Sequence, residues 1–369
     1  MKFKKIKPKN IDWQFLLIVA SLLIFGLFIL SSASFAVGEK KWNDPQHYLK
    51  EQLLKGVLIG IVGFLIFLKI PLELLKKYSF VFLIFSIGLL ILVFFPKLGL
   101  SYGGSTRWLN LGSAAFQPSE LLKLSFLIYL ASWFESRHKE LQKFSSGLLP
   151  FLIITGIIGF LLFLQPNMGT FSIIALSAVA IYFVAGGKLR HLVIIGLSGL
   201  ILFSIFVFVK PYGTERLRTF LNPQNDTRGT AYQINQALIS IGAGGMGGIG
   251  VNQNSASTYL PETIGDSIFA VLAEKLGFFG VSFALLLYFL FTIFSFRIAL
   301  KSNEYFPKLL TVGLASWVLI QSFINIAAIS GIIPLTGVPL PFISYGSSAL
   351  VVNLAGAGII ANVSRYTTA

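Results

Sequence analysis

The chain has 369 residues, of which 55% are hydrophobic and only 12% are charged, and its formal net charge is +15. A mean hydropathy of +0.80 excludes an ordinary soluble globule and indicates a protein whose solvent is the bilayer. The sequence has no cysteine and three scattered histidines, His47, His138 and His191. A disulfide framework and a thiolate metal site are therefore excluded, and we expect no metal bound by protein ligands alone.

Apolar stretches of roughly the 20 residues needed to cross a bilayer core recur along the chain. They begin at Trp13, Gln52, Tyr78, Leu121, Gly147, Phe171, Leu192, Ser267, Leu309 and Ile343. We therefore predict an all-α fold, a polytopic membrane helix bundle of about ten transmembrane helices. The bundle is expected to be a single integral-membrane domain over residues 1–369, with a basic cytoplasmic N-terminus at residues 1–12.

Lysine and arginine are concentrated in alternate short loops, which by the positive-inside rule face the cytoplasm. The residues concerned are Lys69, Lys76, Lys77, Arg137, Lys139, Lys143, Lys188, Arg190, Arg297, Lys301, Lys308 and Arg365. Both termini are therefore predicted to be cytoplasmic. The same rule, with attraction to anionic membrane lipids, accounts for the net charge and argues against nucleic acid as a partner.

The remaining segments are predicted on the outer side, and two of them are long: residues 96–118, and a large extracytoplasmic loop at residues 210–266 before the eighth helix. Loops outside the cell have no ATP, and the sequence contains no GxxxxGK[ST] motif, which argues against an ATP-driven pump or a kinase. We therefore look for function in these outer segments.

The outer loop contains one glycine-rich run, Gly242–Gly247, that matches GxGxxG. No βαβ unit surrounds it, so a dinucleotide-binding fold is not indicated. Two interpretations remain: a flexible turn between interfacial helices, or backbone N–H groups that approach a pyrophosphate.

Asp266 lies at the N-terminal end of the apolar eighth helix, a position at which a charged side chain indicates a specific role. Burial at this position would raise the pKa of the carboxylate and the helix N-terminus would oppose the rise. The carboxylate could act as a general base, or it could cap the helix N-terminus, since Asp is a favoured N-cap residue.

Two further pairs of residues, each containing a charge, lie near the start of a predicted helix or in an outer segment. Glu120 and Lys123 are three residues apart and share a helix face, either as a plain ion pair or lining a polar cavity. Arg107 beside Trp108 could clamp a phosphate or could anchor the chain at the headgroup level.

Five ordered motifs spanning nearly the whole chain resemble those of the SEDS family (shape, elongation, division and sporulation proteins). They are Arg107–Gly112, Phe116–Lys123, Gln165–Thr170, Tyr259–Glu262 followed by Asp266, and Pro334–Ser348. The run Ala231–Gln236 and the ending Asn362–Arg365 are more similar to the division branch, FtsW, than to the elongation branch, RodA.

The resemblance implies a peptidoglycan glycosyltransferase that polymerises lipid II into β-1,4-linked glycan strands, with inversion, at the outer face of the cytoplasmic membrane during cell division. It implies a class B penicillin-binding protein transpeptidase as partner, with other divisome proteins. It also allows a divalent cation, Mg or Mn, carried by the pyrophosphate. A transfer from an activated sugar needs a base for the acceptor hydroxyl and cations for the leaving pyrophosphate.

By the same resemblance Asp266 is the expected catalytic base. The expected substrate-binding residues are Glu120, Lys123, Arg107, Trp108, Gln117, Glu262, Arg216, Arg218, Ser344 and Ser347. For the two serines, which open the last helix with Tyr345 and Ser348, helix packing is an alternative role.

The chain departs from the family pattern at three places. The family's His-Thr-Asp-Phe version of the catalytic run is here Ile264–Ser267, which keeps Asp266 but not its neighbours. Asn167 stands where many relatives carry Asp, and Val251–Ser255 lacks the lysine that division-type relatives tend to carry, which leaves pyrophosphate recognition by this run open. Two other functions are considered. A lipid II flippase should show internal repeats or broken helices, and no clear repeat is found; a non-catalytic division scaffold would not need Asp266, Glu120 and Lys123 together.

Overall fold

A computed structural model describes residues 10–102, 105–110, 112, 115–209, 211–222, 229–251 and 260–367. The described chain is mostly helical. The helices of the N-terminal half are α1 (Trp13–Trp42), α2 (His47–Glu51), α3 (Ile59–Lys69), α4 (Leu72–Lys77), α5 (Ser79–Leu92), α6 (Pro118–Ser136) and α7 (Leu149–Leu164). Those of the C-terminal half are α8 (Met168–Val184), α9 (Leu189–Val209), α10 (Pro211–Leu221), α11 (Thr230–Gly244), α12 (Ile268–Lys301), α13 (Tyr305–Ile329) and α14 (Ser347–Ser364).

Two π-helical turns extend this set. Gln52–Leu58 joins α2 to α3, and Phe144–Leu148 leads into α7. The first helix has a side-chain cap. The Asp12 carboxylate accepts hydrogen bonds from the backbone N–H groups of Gln14 and Phe15, both at 3.1 Å, and thereby caps α1.

Among the described residues, six helical stretches are long and apolar enough to cross a membrane by length and composition. They are Trp13–Trp42, His47–Lys69, Phe144–Leu164, Ile268–Lys301, Tyr305–Ile329 and Ser347–Ser364. Shorter apolar helices are Ser79–Leu92, Met168–Val184 and Leu189–Ile205. Large apolar side chains such as Phe279 and Phe289 are exposed to 66% and 60%, as expected for a surface that faces lipid.

Each of the ten predicted span starts lies inside a helix or close to one, and the number of membrane crossings stays a prediction. Several starts are displaced by three or four residues, and for two of them the physical reason is visible. α6 begins at Pro118 rather than Leu121, because proline is favoured in the first turn of a helix. α14 begins at Ser347 rather than Ile343, because the preceding proline-rich segment is not helical.

The all-α prediction is wrong in one segment. Residues 96–118 contain a three-stranded antiparallel sheet, β1 (Gly99–Tyr102), β2 (Ser105–Asn110) and β3 (Ala115–Phe116). Short hairpins satisfy their backbone groups locally, which gives this loop a defined shape and fixes the position of Arg107 on β2.

The segment predicted as a large outer loop, residues 210–266, contains helices α10 and α11 rather than only irregular chain. The part of the Val251–Ser255 run beyond Val251, and the charged residues Asp226 and Arg228, lie outside the described residues. The outward placement of this segment stays a prediction.

The segment between α13 and α14, residues 331–346, is non-helical but largely buried, with Leu335, Leu340 and Phe342 at most 5% exposed. Unpaired backbone carbonyls are costly in such a place, so side chains of neighbouring helices bind them. The donors are Arg216 for Leu335 O, Asn325 for Val338 O, Gln321 for Pro339 O and Tyr288 for Pro341 O. We call residues 331–346 the crossing segment; it forms one wall of the candidate site.

Candidate active site

Asp266 ends a tight turn, Leu260–Ser267, directly before α12. In this turn the N–H groups of Gly265 and Ser267 both donate to the carbonyl of Glu262, at 3.0 and 3.2 Å. The N-cap residue of α12 is Ser267, and no side chain caps the helix. The geometry therefore does not support the alternative role of Asp266 as a helix cap, because its carboxylate makes no capping hydrogen bond to α12.

The backbone around Asp266 is fixed by three residues from other parts of the chain. The amide of Asn325 on α13 donates to Asp266 O at 2.8 Å. The Ser344 hydroxyl donates to Gly265 O at 2.8 Å, and the Tyr345 N–H donates to Ile264 O at 2.8 Å. α13 and the crossing segment thus hold the turn, although these residues lie far from Asp266 in sequence.

Arg216 lies beside the Asp266 carboxylate. A Cβ placed on Gly337 would be 3.3 Å from Asp266 Oδ2 and 3.5 Å from Arg216 Nη2, so the two groups flank the same glycine. Gly337 has a φ of +69°, which favours glycine, and its missing side chain leaves the space between the two charges open.

Burial raises the pKa of Asp266 to about 6, and the charge of Glu262 adds to the rise. The positive charges of Arg216 and Arg107 oppose it. A carboxyl group with a pKa near 6 is still ionised at neutral pH and is a stronger base than an ordinary aspartate, which suits general-base catalysis.

Both arginines are oriented by backbone carbonyls. Arg107 on β2 donates through Nε to Gln165 O at 3.2 Å and through Nη2 to Pro166 O. Arg216 on α10 donates to Leu335 O in the crossing segment. Two guanidinium groups are thus held near one carboxylate by separate elements, an arrangement that can receive an anionic group.

Glu120 and Lys123 form a closed ion pair inside the bundle, with Lys123 Nζ 2.9 Å from Glu120 Oε2 and both side chains 2% exposed. Lys123 also donates to Gln321 Oε1 at 2.8 Å and lies 4.9 Å from the Trp317 ring centroid. Gln321 in turn binds Pro339 O at 2.9 Å. The pair is therefore linked to the crossing segment through Gln321, which lies on the same face of α13 as Asn325.

The other expected site residues differ in their contacts and in their exposure. Ser344 contacts the Asp266 turn as described above, and the Gln117 N–H donates to Ser348 Oγ at 3.3 Å. Glu262 is exposed and has a φ of +52°.

Trp108 and Ser347 are half-buried, at the sheet and at the start of α14. Arg218 is exposed on α10, two residues after Arg216, so the two side chains do not share a helix face. The structure thus brings Asp266, Glu262, Arg216, Arg107 and Ser344 together and leaves the contacts of Trp108, Ser347 and Arg218 with substrate as predictions.

Sequence reasoning missed Asn325, Gln321 and Gly337. A signal for the first two was present, since they are polar residues four apart in an otherwise apolar helix and so share one face. Gly337 gave no such signal, because its role depends on what packs against it.

The glycine-rich run packs against a break in α12. Gly277 has a φ of +63° within that helix, and the N–H groups of Ile249 and Gly250 donate to Glu274 O and Lys275 O at 3.0 and 3.1 Å. Gly248 N–H donates to Gly244 O at 2.8 Å. These three amides directly follow the run. Within the run, the Gly245 N–H donates to Gly242 O at 3.4 Å, and the carbonyls of Gly245 and Met246 accept hydrogen bonds from the N–H groups of Phe278 and Phe279 at 2.9 and 3.3 Å. The run is thus bonded within the fold, which favours the turn over a pyrophosphate cradle.

Within the part of the chain that is described, no group of three or more His, Asp or Glu residues could hold a metal ion. A divalent cation carried by a pyrophosphate stays a prediction.

Fold and site together define a multi-pass helical membrane protein with an activated carboxylate and two oriented arginines at one end of its bundle. A family model described as cell cycle protein, of the FtsW, RodA and SpoVE group, matches residues 13–369. The chain belongs to this family.

Similar proteins agree with that assignment. Stage V sporulation protein E of Bacillus subtilis is 35% identical over 368 residues, covering 100% of both chains. The probable peptidoglycan glycosyltransferase FtsW of Coxiella burnetii is 35% identical over 375 residues, covering 98% of this chain and 99% of its own.

Two solved structures share the fold. A peptidoglycan synthase complex, described as coordinating polymerization and crosslinking, has a TM-score of 0.80 and 28% identity, covering 96% of this chain and 98% of its own. The rod shape determining protein RodA of Thermus thermophilus has a TM-score of 0.69 and 25% identity, covering 97% and 98%.

Proposed function

We propose that the protein is a peptidoglycan glycosyltransferase that polymerises lipid II into β-1,4-linked glycan strands at the outer face of the cytoplasmic membrane. The observation that carries the proposal is the Asp266 carboxylate, which caps no helix, has its pKa raised to about 6 and faces Arg216 across Gly337. Relatives named as probable peptidoglycan glycosyltransferases support the same activity.

In the proposed reaction Asp266 takes the proton from an acceptor sugar hydroxyl. The freed oxygen forms a bond to the anomeric carbon of the donor, and the bond from that carbon to the pyrophosphate oxygen breaks. Direct attack inverts an α-linked donor into a β-linked product. The electron pair leaves with the polyprenyl pyrophosphate, so no other reactant is needed.

Arg216 and Arg107 are assigned to the leaving pyrophosphate. Their guanidinium groups are already oriented by Leu335 O, Gln165 O and Pro166 O, so little reorganisation is needed when negative charge develops. A Mg or Mn ion carried by the substrate would add to the same stabilisation.

Glu120 and Lys123 are closed to solvent in this state. We therefore assign them a supporting role, in which Lys123 fixes Gln321 and Gln321 fixes the crossing segment at Pro339. Direct contact with substrate or cation would require the pair to open.

We assign the chain to cell division rather than elongation, since relatives named FtsW match at 33–35% identity over nearly the whole chain. A class B penicillin-binding protein transpeptidase is the proposed partner, supported by the similarity to a complex that couples polymerization and crosslinking. Other divisome proteins are further proposed partners.

The experiment is glycan synthesis from purified lipid II by the purified protein, with and without a cognate class B transpeptidase. Polymer in either reaction supports the proposal. If folded protein with its partner makes no polymer, the glycosyltransferase is rejected. Lipid II translocation in the same vesicles would then favour a flippase, and its absence a scaffold.

A further inference from the structure

The turn that carries Asp266 is braced by residues 344–346 of the crossing segment. Ser344 Oγ donates to Gly265 O and the Tyr345 N–H donates to Ile264 O, both at 2.8 Å. These two carbonyls belong to the residues directly before Asp266. Any displacement of Tyr345 is therefore passed to the carboxylate through short backbone links.

Tyr345 and Gly346 are held in turn by the second helix. The Tyr345 hydroxyl donates to Glu51 Oε2 at 2.7 Å, and the Gly346 N–H donates to Gln52 Oε1 at 3.2 Å. Gln52 is the first residue of the π-helical turn Gln52–Leu58, a rare geometry that is frequent at functional sites.

The Glu51 acceptor is itself fixed in place. Lys55 Nζ lies 2.6 Å from Glu51 Oε1, which leaves Oε2 for Tyr345. The Tyr345 ring meets the Tyr48 ring edge to face at a centroid distance of 5.2 Å. A charge-assisted hydrogen bond and an aromatic contact thus define one position for Tyr345.

We propose that Glu51 and Tyr345 are positioning residues for Asp266, so that the C-terminal end of α2 sets the place of the base. This inference rests on the proposed function. The proposal follows because a general base must lie within hydrogen-bond reach of its proton, and a small displacement lowers turnover strongly. Neither residue touches the reacting atoms.

The test compares four variants in the lipid II assay. Tyr345→Phe removes the hydroxyl but keeps the ring, and Glu51→Leu removes the acceptor. Each is expected to lower kcat about tenfold while KM changes less than about twofold, because the base is misplaced and substrate binding is not. Glu51→Gln keeps an acceptor oxygen and should retain most of the activity.

The double variant Tyr345→Phe with Glu51→Leu should be no slower than either single variant, since both remove the same bond. Lys50→Ala is the matched control. Lys50 lies on the same short helix as Glu51, but its ammonium pairs with Asp44, which precedes that helix, so Lys50→Ala should leave kcat unchanged.

Hydrogen exchange of residues 260–267 gives a readout that does not need activity. The amides of Gly265 and Ser267 should exchange faster in Tyr345→Phe than in wild type, with no change in α13. Unchanged exchange, or wild-type kcat in both single variants while Asp266→Asn is inactive, overturns the inference and leaves the proposed function standing. Loss of polymer in wild type rejects the proposed function alone, and the exchange result still decides the positioning.

Discussion

The side-chain amide of Asn325 donates one hydrogen bond to the backbone carbonyl of Asp266, at 2.8 Å, and another to that of Val338, at 2.7 Å. One buried residue of α13 thus joins the turn that carries the base to the crossing segment opposite it. Its side chain is 1% exposed, so water cannot replace these bonds easily.

Asn325→Asp tests this link with a side chain of nearly the same shape. An ionised aspartate cannot donate, so two carbonyls would lose their partner, at a cost of about 1–3 kcal/mol for each buried group left unsatisfied. The added negative charge would also raise the pKa of Asp266. We expect a lower unfolding temperature in detergent and at least about tenfold slower polymerisation. Ser316→Ala on the same helix is the control, and equal loss in both variants would contradict the specific role of Asn325.

The pH dependence of the reaction follows from the raised pKa of Asp266. A general base works in its ionised form, so turnover should rise with pH through the pKa of about 6 and level off above it. The measurement is initial polymerisation rate at saturating lipid II against pH. A profile that is flat between pH 5 and about 7 would contradict Asp266 as the base.

Arg216→Gln removes a cation beside the Asp266 carboxylate. Because Arg216 lowers the pKa of Asp266, its loss should shift the acid limb of the pH profile to higher pH. Loss of the contact that we propose between Arg216 and the leaving pyrophosphate should slow turnover by about 10²-fold at every pH.

Arg218→Gln is the matched control, since Arg218 is exposed on the same helix. It carries the same charge and should leave the acid limb in place. Identical pH profiles of turnover for the two variants would contradict a role of Arg216 at the active site.

The buried pair of Glu120 and Lys123 can be tested by removing one charge or both. Lys123→Met leaves Glu120 buried without its cation, which should cost about 3–5 kcal/mol of stability. Replacing both residues by Met should recover much of that stability while polymerisation stays low, because Gln321 Oε1 has lost one of its two donors and keeps only Trp317 Nε1, at 2.7 Å. Thermal unfolding and turnover are measured together. Full recovery of stability and turnover in the double variant would contradict the supporting role and leave Glu120 and Lys123 as an ion pair only.

The helices could be predicted from the sequence because long apolar runs are a local signal. The sheet around Arg107 and the helices α10 and α11 were not predicted, because they are short. The two helices have 11 and 15 residues, fewer than the roughly 20 apolar residues that indicate a membrane-spanning helix. Asp266, Glu120 and Lys123 were found as charges in apolar surroundings.

The surroundings of Asp266 depend on contacts distant in sequence, which no local pattern reports. Asn325 is 59 residues from Asp266, and Tyr345 is 294 residues from Glu51. The space at Gly337 exists only because α10, α12 and the crossing segment meet there.

The central claim is that Asp266 acts as a base, and the most direct test is Asp266→Asn. The amide keeps the size of the side chain but cannot take a proton. We predict that the variant folds, with an unfolding temperature close to that of wild type, and forms no glycan polymer from lipid II with its partner transpeptidase present. Polymerisation at the wild-type rate by the folded variant would contradict the account.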